Sequence, residues 1–323
     1  MKRNFKKLPL LFIFILFLVA PQVLDNYFIY LLNLFFIACI ISMGLNILTG
    51  FAGQVSLGQA AFFGIGAYIS SLCVIKLGLP FWLSLPLGGV MGAVISLVIG
   101  LPALKVSGYY LALVTLAFNE IVNLIMIHWK NMTNGTDGLT IPSPKLGDFV
   151  FSTDGSKYYI IFLLAFFLFI AARNILRSKT GRAFISLKDS EVASQCIGVN
   201  LAKYKIIAFM ISAFYASLAG GLHGIALSYI HPQDFSLFRS IIFLMVIVIG
   251  GLGTPGGPFI GAALFTLLPE ALGKFQEYQE LIYALILLGS IIFLPSGLIK
   301  LPGRIITVAN RVSPKRQKSM PPA

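Results

Sequence analysis

Residues 44–68 read GLNILTGFAGQVSLGQAAFFGIGAY. The stretch is too apolar for a surface loop and too rich in glycine for an uninterrupted helix. Glycine loses more backbone entropy on folding than any other residue and leaves its peptide groups bare. The reading is a helix that breaks and resumes. Gly50, Gly53 and Gly58 mark the break, and Asn46, Thr49, Gln54, Ser56 and Gln59 place polar side chains on it. In hydrocarbon such a break persists only where protein or a water-filled cavity covers the freed carbonyls and amides. Two readings follow. One is a discontinuous helix lining a translocation path. The other is close helix packing, which suits Gly58, Gly64 and Gly66.

The flanks place this break in a bilayer. Of 323 residues, 58% are hydrophobic and only 11% charged, against roughly 25% charged in a soluble domain. A soluble fold has no way to cover that much apolar surface. A span needs about 20 mostly apolar residues, and ten segments qualify or nearly qualify: Leu8–Leu24, Ile29–Thr49, Gly58–Leu77, Phe81–Leu101, Val106–Ile127, Tyr158–Leu176, Ile206–Ile230, Phe238–Gly250, Pro258–Gly273 and Leu281–Ile299. The fold class is an all-α integral membrane protein with about ten transmembrane helices. It forms one transmembrane domain over residues 1–300, followed by a basic tail at 301–323 that reads as disordered and drawn to anionic lipid. Lys2, Arg3, Lys6 and Lys7 before the first apolar run resemble a signal peptide, but no small-residue cleavage site follows, so the first span is expected to stay.

The net charge of +13 reports topology rather than nucleic acid, because the cations sit between apolar runs. With both termini cytoplasmic, Lys105, Arg173, Arg177, Lys179, Arg182, Lys188, Lys203, Lys205 and the tail fall inside. Asp25, Asp137, Asp148, Asp154, Asp234, Glu277 and Glu280 fall outside. That is the asymmetry the positive-inside rule requires. Cys39, Cys73 and Cys196 form no framework, and His128, His223 and His231 have no metal-ligand spacing. His223, His231 and Asp234 lie close in sequence, but Pro232 makes them read as a helix end rather than a catalytic group.

Three further stretches carry candidate function. Ile249–Gly261, IGGLGTPGGPFIG, is a second glycine-rich break with Gly250, Gly251, Gly253, Gly256 and Gly257, and its likeness to the first hints at a duplicated architecture. Ser107–Glu120, SGYYLALVTLAFNE, places Thr115, Asn119 and Glu120 in a span. An intramembrane carboxylate is by default a functional candidate, because its desolvation is costly. The inside loop 177–205 mixes charges with helix formers. A short helix near Asp189–Ile197 is expected there, either lying on the membrane surface or docking in a partner's groove.

These stretches together resemble the M-type membrane subunit of the branched-chain amino acid ABC importers. LNILTGFAGQVSLGQAAFFGIGAY is similar to that family's core after the second helix. SGYYLALVTLAF and TNGTDGL are similar to its next blocks, the segment from Ser178 to Gly224 to its coupling loop and following helix, and GGLGTPGGPFIGA to its later glycine block, so roughly residues 30 to 300 are covered. The resemblance implies a homologous second permease, two P-loop ATPase subunits and a periplasmic or lipid-anchored binding protein. It implies a coupling helix carrying Asp189, Glu191, Ala193 and Gly198. Against the generic importer pattern of Glu-Ala-Ala then Gly, Val192 replaces the first alanine and Gly198 sits one residue late. Family members carry branched-chain amino acids, but also urea, amides and small organic acids.

No GxxxxGK[ST] occurs in the sequence, so this chain has no P-loop to cradle nucleotide phosphates. No cofactor is expected on it, and ATP would be used by the partners. The competing reading is a stand-alone ion-coupled transporter or channel, which needs intramembrane ionisable groups. Glu120 is the clear candidate for that role.

Overall fold

The computed structural model describes residues 17–103, 108–146, 149–273, 278–293 and 297–300. Residues 17–23 are helical and belong to the first expected span, whose residues 8–16, like the basic N-terminus and the tail, lie outside the described residues. Six helices are long and apolar enough to cross a membrane, and three shorter apolar helices follow among the described residues. The protein is an all-α membrane protein, as the hydropathy predicts.

The helices are α1 (Asn26–Leu45), α2 (Gln59–Leu77), α3 (Phe81–Ala103), α4 (Tyr109–His128), α5 (Asp154–Arg177), α6 (Lys179–Asp189), α7 (Glu191–Cys196), α8 (Leu201–Leu227), α9 (Leu237–Gly250), α10 (Gly257–Ala271) and α11 (Gln279–Phe293). Expected boundaries moved by a few residues. The second span begins at Asn26 rather than Ile29, and its last turn, Asn46–Phe51, is a π-helix. The seventh runs Leu201–Leu227 rather than Ile206–Ile230.

Helix α8 is the hub, packed against α1, α2 and α3. Small residues make that possible. A Cβ on Gly66 or Gly92 would strike Ser217, and one on Gly220 would strike the carbonyl of Phe63. The Ser217 hydroxyl donates to the Phe62 carbonyl at 2.9 Å across the same crossing. Helices α9 and α10 pack on each other and on α1.

Two ends of the bundle differ. At one, the chain between α4 and α5 forms a short two-residue ladder with the segment just after α8, pairing Leu139 with Ile230 and Thr140 with Tyr229. This "loop end" is the predicted outside. At the other end, the loop expected to hold one helix at Asp189–Ile197 is two helices and the start of α8. Three side-chain caps set those boundaries: Ser178 accepts from the Thr180 amide, Ser190 from Ala193 and Asn200 from Lys203. Asp189 therefore ends α6 instead of opening the short helix. Helix α6 is amphipathic, with Gly181, Ala183, Phe184 and Leu187 buried and Arg182 and Lys188 on its polar side.

Candidate translocation and coupling site

The first glycine break is a real interruption of a span. After the π turn, residues 52–58 are non-helical, and α2 starts only at Gln59. The π turn before this segment meets the second break, and just past its end the Ala60 amide donates to the Ser240 hydroxyl at 2.8 Å. Ser240 lies about 15 Å along α9 from Gly250, at 1.5 Å per residue.

The freed backbone groups find side chains. The Leu57 amide donates to Thr115 Oγ1 at 2.9 Å, and the Gly58 amide to Ser56 Oγ at 3.3 Å. Thr49 Oγ1 donates to the Gln54 carbonyl at 2.9 Å. Gln59 is held by Ser212, donating to its carbonyl and accepting from its hydroxyl. Asn119 Oδ1 accepts from Ser240 Oγ at 3.2 Å. Asn46, Thr49, Gln54, Ser56, Gln59, Thr115 and Asn119 are thus all buried in one polar seam. Within it Gln54 Nε2 and Asn119 Nδ2 lack partners. Glu120 stands apart, exposed on the outer face of α4 beside Ile121, Leu124 and Ile125.

The two breaks touch. Asn46 Nδ2 donates to the Thr254 carbonyl at 2.9 Å, and its Oδ1 accepts from the Gly253 amide at 2.9 Å. A Cβ on Gly50 would meet both Asn46 Oδ1 and the Gly253 amide, so only glycine fits there. Gly251 and Gly253 hold φ of 124° and 69°, which supply the tight turn between α9 and α10. Of the other break glycines, Gly58 lies against Thr115, Gly250 against Gly257, and Gly256 against Ile299.

The junction is tied to the α6–α7 pair. Lys188 Nζ donates to the Gly50 carbonyl at 2.7 Å, and its stem lies against Gly53. Ser186 and Ser194 hydroxyls share a hydrogen bond of 2.6 Å. Glu191 pairs with Lys205 at 2.7 Å, so its charge serves the base of α8. Asp189, Ala193 and Gly198 are exposed, the last closing α7 at φ 83°. Val192 and Ile197, each 74% exposed, give this pair an apolar tip.

Comparison with known proteins shows the family. The model of the family described as branched-chain amino acid transport system / permease component matches residues 27–294. The chain belongs to this family. It is 31% identical, over 91% of its own length and 75% of the relative's, to the high-affinity branched-chain amino acid transport system permease protein LivM of Escherichia coli K12. LivH, the permease protein of the same description from E. coli K12, is 22% identical over 81% of this chain and 91% of its own. The ribose import permease protein RbsC of Haemophilus influenzae is 24% identical over 78% and 80%. No solved structure matches. The permease is a multi-pass protein of the inner membrane.

The break residues were legible from glycine and amide content. Lys188, Ser212 and Ser240 were not. Lys188 reads in sequence as one more cytoplasmic cation, and the serines as small residues in apolar spans. Only the fold shows what each one meets. The seam carries polar groups but little open space. The cavity beside Asn46 measures about 20 Å³, while cavities of about 400 and 390 Å³ lie toward the loop end.

Proposed function

We propose that this permease subunit forms half of the translocation path of an ATP-driven importer for branched-chain amino acids. It would pair with a homologous second permease, with two P-loop ATPase subunits below and a binding protein delivering substrate at the loop end. Helix α7 is the coupling helix. Its apolar tip at Val192 and Ile197 fits a groove, and Asp189 and Gly198 flank that tip. The single observation that carries the reading is the Lys188 bond to Gly50. It joins the helix pair a partner would push to the carbonyl of the first break, which Asn46 ties to the second. Motion of α6–α7 reaches both discontinuities through three hydrogen bonds. ATP then acts only by favouring one conformation over the other. Asn46, Thr49, Gln54, Ser56, Gln59, Thr115 and Asn119 form the seam along which the helices part.

The test is Val192→Asp with Ile197→Asp. Both side chains are exposed, so insertion and stability should hold within about 0.5 kcal/mol. Substrate-stimulated ATPase of the reconstituted complex should be lost. Undiminished stimulation by this double variant sinks the coupling role of α7.

A further inference from the structure

The cavity of about 400 Å³ lies between α1, α8, α9, α10 and the Pro232–Phe235 turn. Its size sits at the small end of ligand pockets, about 300–1,000 Å³. Its lining is of three kinds. Leu34, Ile37, Ile41 and Phe243 give an apolar wall. Arg239 and His223 are nitrogen donors. Asp234 and Glu270 are carboxylates.

The donors have no protein partner that satisfies them. His223 is 7% exposed and its Nε2 makes no hydrogen bond, with its ring 5.1 Å from that of Phe63. Arg239 donates from Nε to the Asp234 carbonyl at a long 3.4 Å, and among the described residues no carboxylate lies within 4.0 Å of it. Arg239 also lines the adjoining cavity of about 390 Å³, so its guanidinium stands between two open spaces. A guanidinium inside a membrane protein ordinarily pairs with an acid. Here the acid is at hand and unpaired with it. Asp234 spends one oxygen, Oδ2, on the His231 amide at 3.2 Å, and Glu270 is exposed at the rim beside Tyr27.

A cation and an anion held close but apart, next to an apolar wall, complement a molecule that carries both charges on one carbon and an apolar group on the same carbon. We propose that this cavity is an intramembrane binding site for the zwitterion of an apolar α-amino acid. Arg239 and His223 take the carboxylate, Asp234 and Glu270 take the ammonium, and Leu34, Ile37 and Phe243 pack the side chain. The proposal deepens the importer reading and rests on it for the ligand class. Arg239 supplies the bidentate fork that matches a carboxylate. The cavity lies at the loop end, so substrate released there meets this site before the sealed seam.

The experiment uses the assembled importer in lipid nanodiscs without binding protein, with radiolabelled L-leucine as probe. Leucinol lacks the carboxylate, and 4-methylpentanoate lacks the ammonium. Each should compete with leucine about tenfold more weakly or worse, because a site built for a group rejects the analogue that leaves its own polar atoms unpaired. Arg239→Gln should lose about tenfold or more in leucine binding on the same ground. Should that variant fail to assemble, Leu34→Trp, which fills the apolar wall, should abolish binding with the charged groups intact. Leucinol or 4-methylpentanoate competing as well as leucine overturns the site. So does full leucine binding by Arg239→Gln or Leu34→Trp, or a lipid headgroup found on Arg239. An importer that takes up leucine with its binding protein, yet shows none of these effects, overturns this inference alone. One that takes up no branched-chain amino acid overturns the functional reading beneath it.

Discussion

The two ends of the bundle hold their most prominent polar side chains differently, although Gln54 Nε2 in the seam is also without a partner. At the α6 end, Asn46 spends both halves of its amide on the second break, and Lys188 is seated on Gly50. At the loop end, Arg239 and His223 line open space, with at most one long hydrogen bond between them to protein. Satisfied groups at depth hold a structure together; unsatisfied ones cost stability and persist where something else meets them. The first end is bonded as a joint would be, and the second is where the proposed binding site lies. Substitutions should therefore shift stability in opposite directions at the two ends.

The largest effect is expected at Asn46. Asn46→Leu is close in size but strands the Gly253 amide and the Thr254 carbonyl. Leaving these partly buried groups unpaired should cost about 2–3 kcal/mol, read as a drop in the unfolding midpoint of the purified permease in detergent. A midpoint unchanged from wild type would mean that the two breaks are not joined through this side chain, and the contrast between the ends would fail.

Arg239→Met should go the other way. It removes an ion without a carboxylate partner among the described residues and keeps apolar atoms in place of its stem. The empty permease should gain about 1 kcal/mol, since replacing buried charge by well-packed apolar groups is often neutral or stabilising, and leucine uptake by the reconstituted importer should fall. Stability lost together with uptake would make Arg239 a structural residue and collapse the distinction. A gain in stability with a loss of function is the trade-off expected of a binding residue.

The sequence made the joint legible and left the proposed binding site hidden, for physical reasons. A span announces itself by composition over about 20 residues, and a break announces itself by glycine where helix is otherwise required. Both signals are local. Spans, both breaks and the amides at the first were therefore readable. Pairing is not local: Asn46 and Thr254, or Leu57 and Thr115, are far apart in sequence, and nothing in either segment names its partner. Arg239 falls one residue inside an expected span and reads as a cation at the membrane edge. Glu270 falls near the end of another, and His223 reads together with His231 and Pro232 as helix termination. Each taken alone is ordinary. The loop at 177–205 shows the same limit on a smaller scale. Its charges located it, but Ser178, Ser190 and Asn200 divided it into helices through caps that composition alone does not single out.

Glu120 belongs to neither end, and it carries the smallest expected effect. Its placement in a span made it the leading intramembrane acid in the sequence, yet the fold turns it outward. Asn119, the next residue, is fully buried in the polar seam, while Glu120 shares its surface with the exposed Ile121, Leu124 and Ile125. A helix advances about 100° per residue, at 3.6 residues per turn, so burying Asn119 carries its neighbour's side chain off the inner face. No hydrogen bond or ion pair within the described residues depends on this carboxylate. Glu120→Gln keeps the shape, removes the charge and takes nothing from any partner inside the subunit. The unfolding midpoint of the isolated chain should move by no more than about 0.5 kcal/mol in equivalent stability. A loss of several times that in the isolated subunit would show that Glu120 is held internally, which would place a third polar region in the bundle and undo the two-ended division. A null result in the isolated chain leaves its outward face to lipid or to a neighbouring subunit.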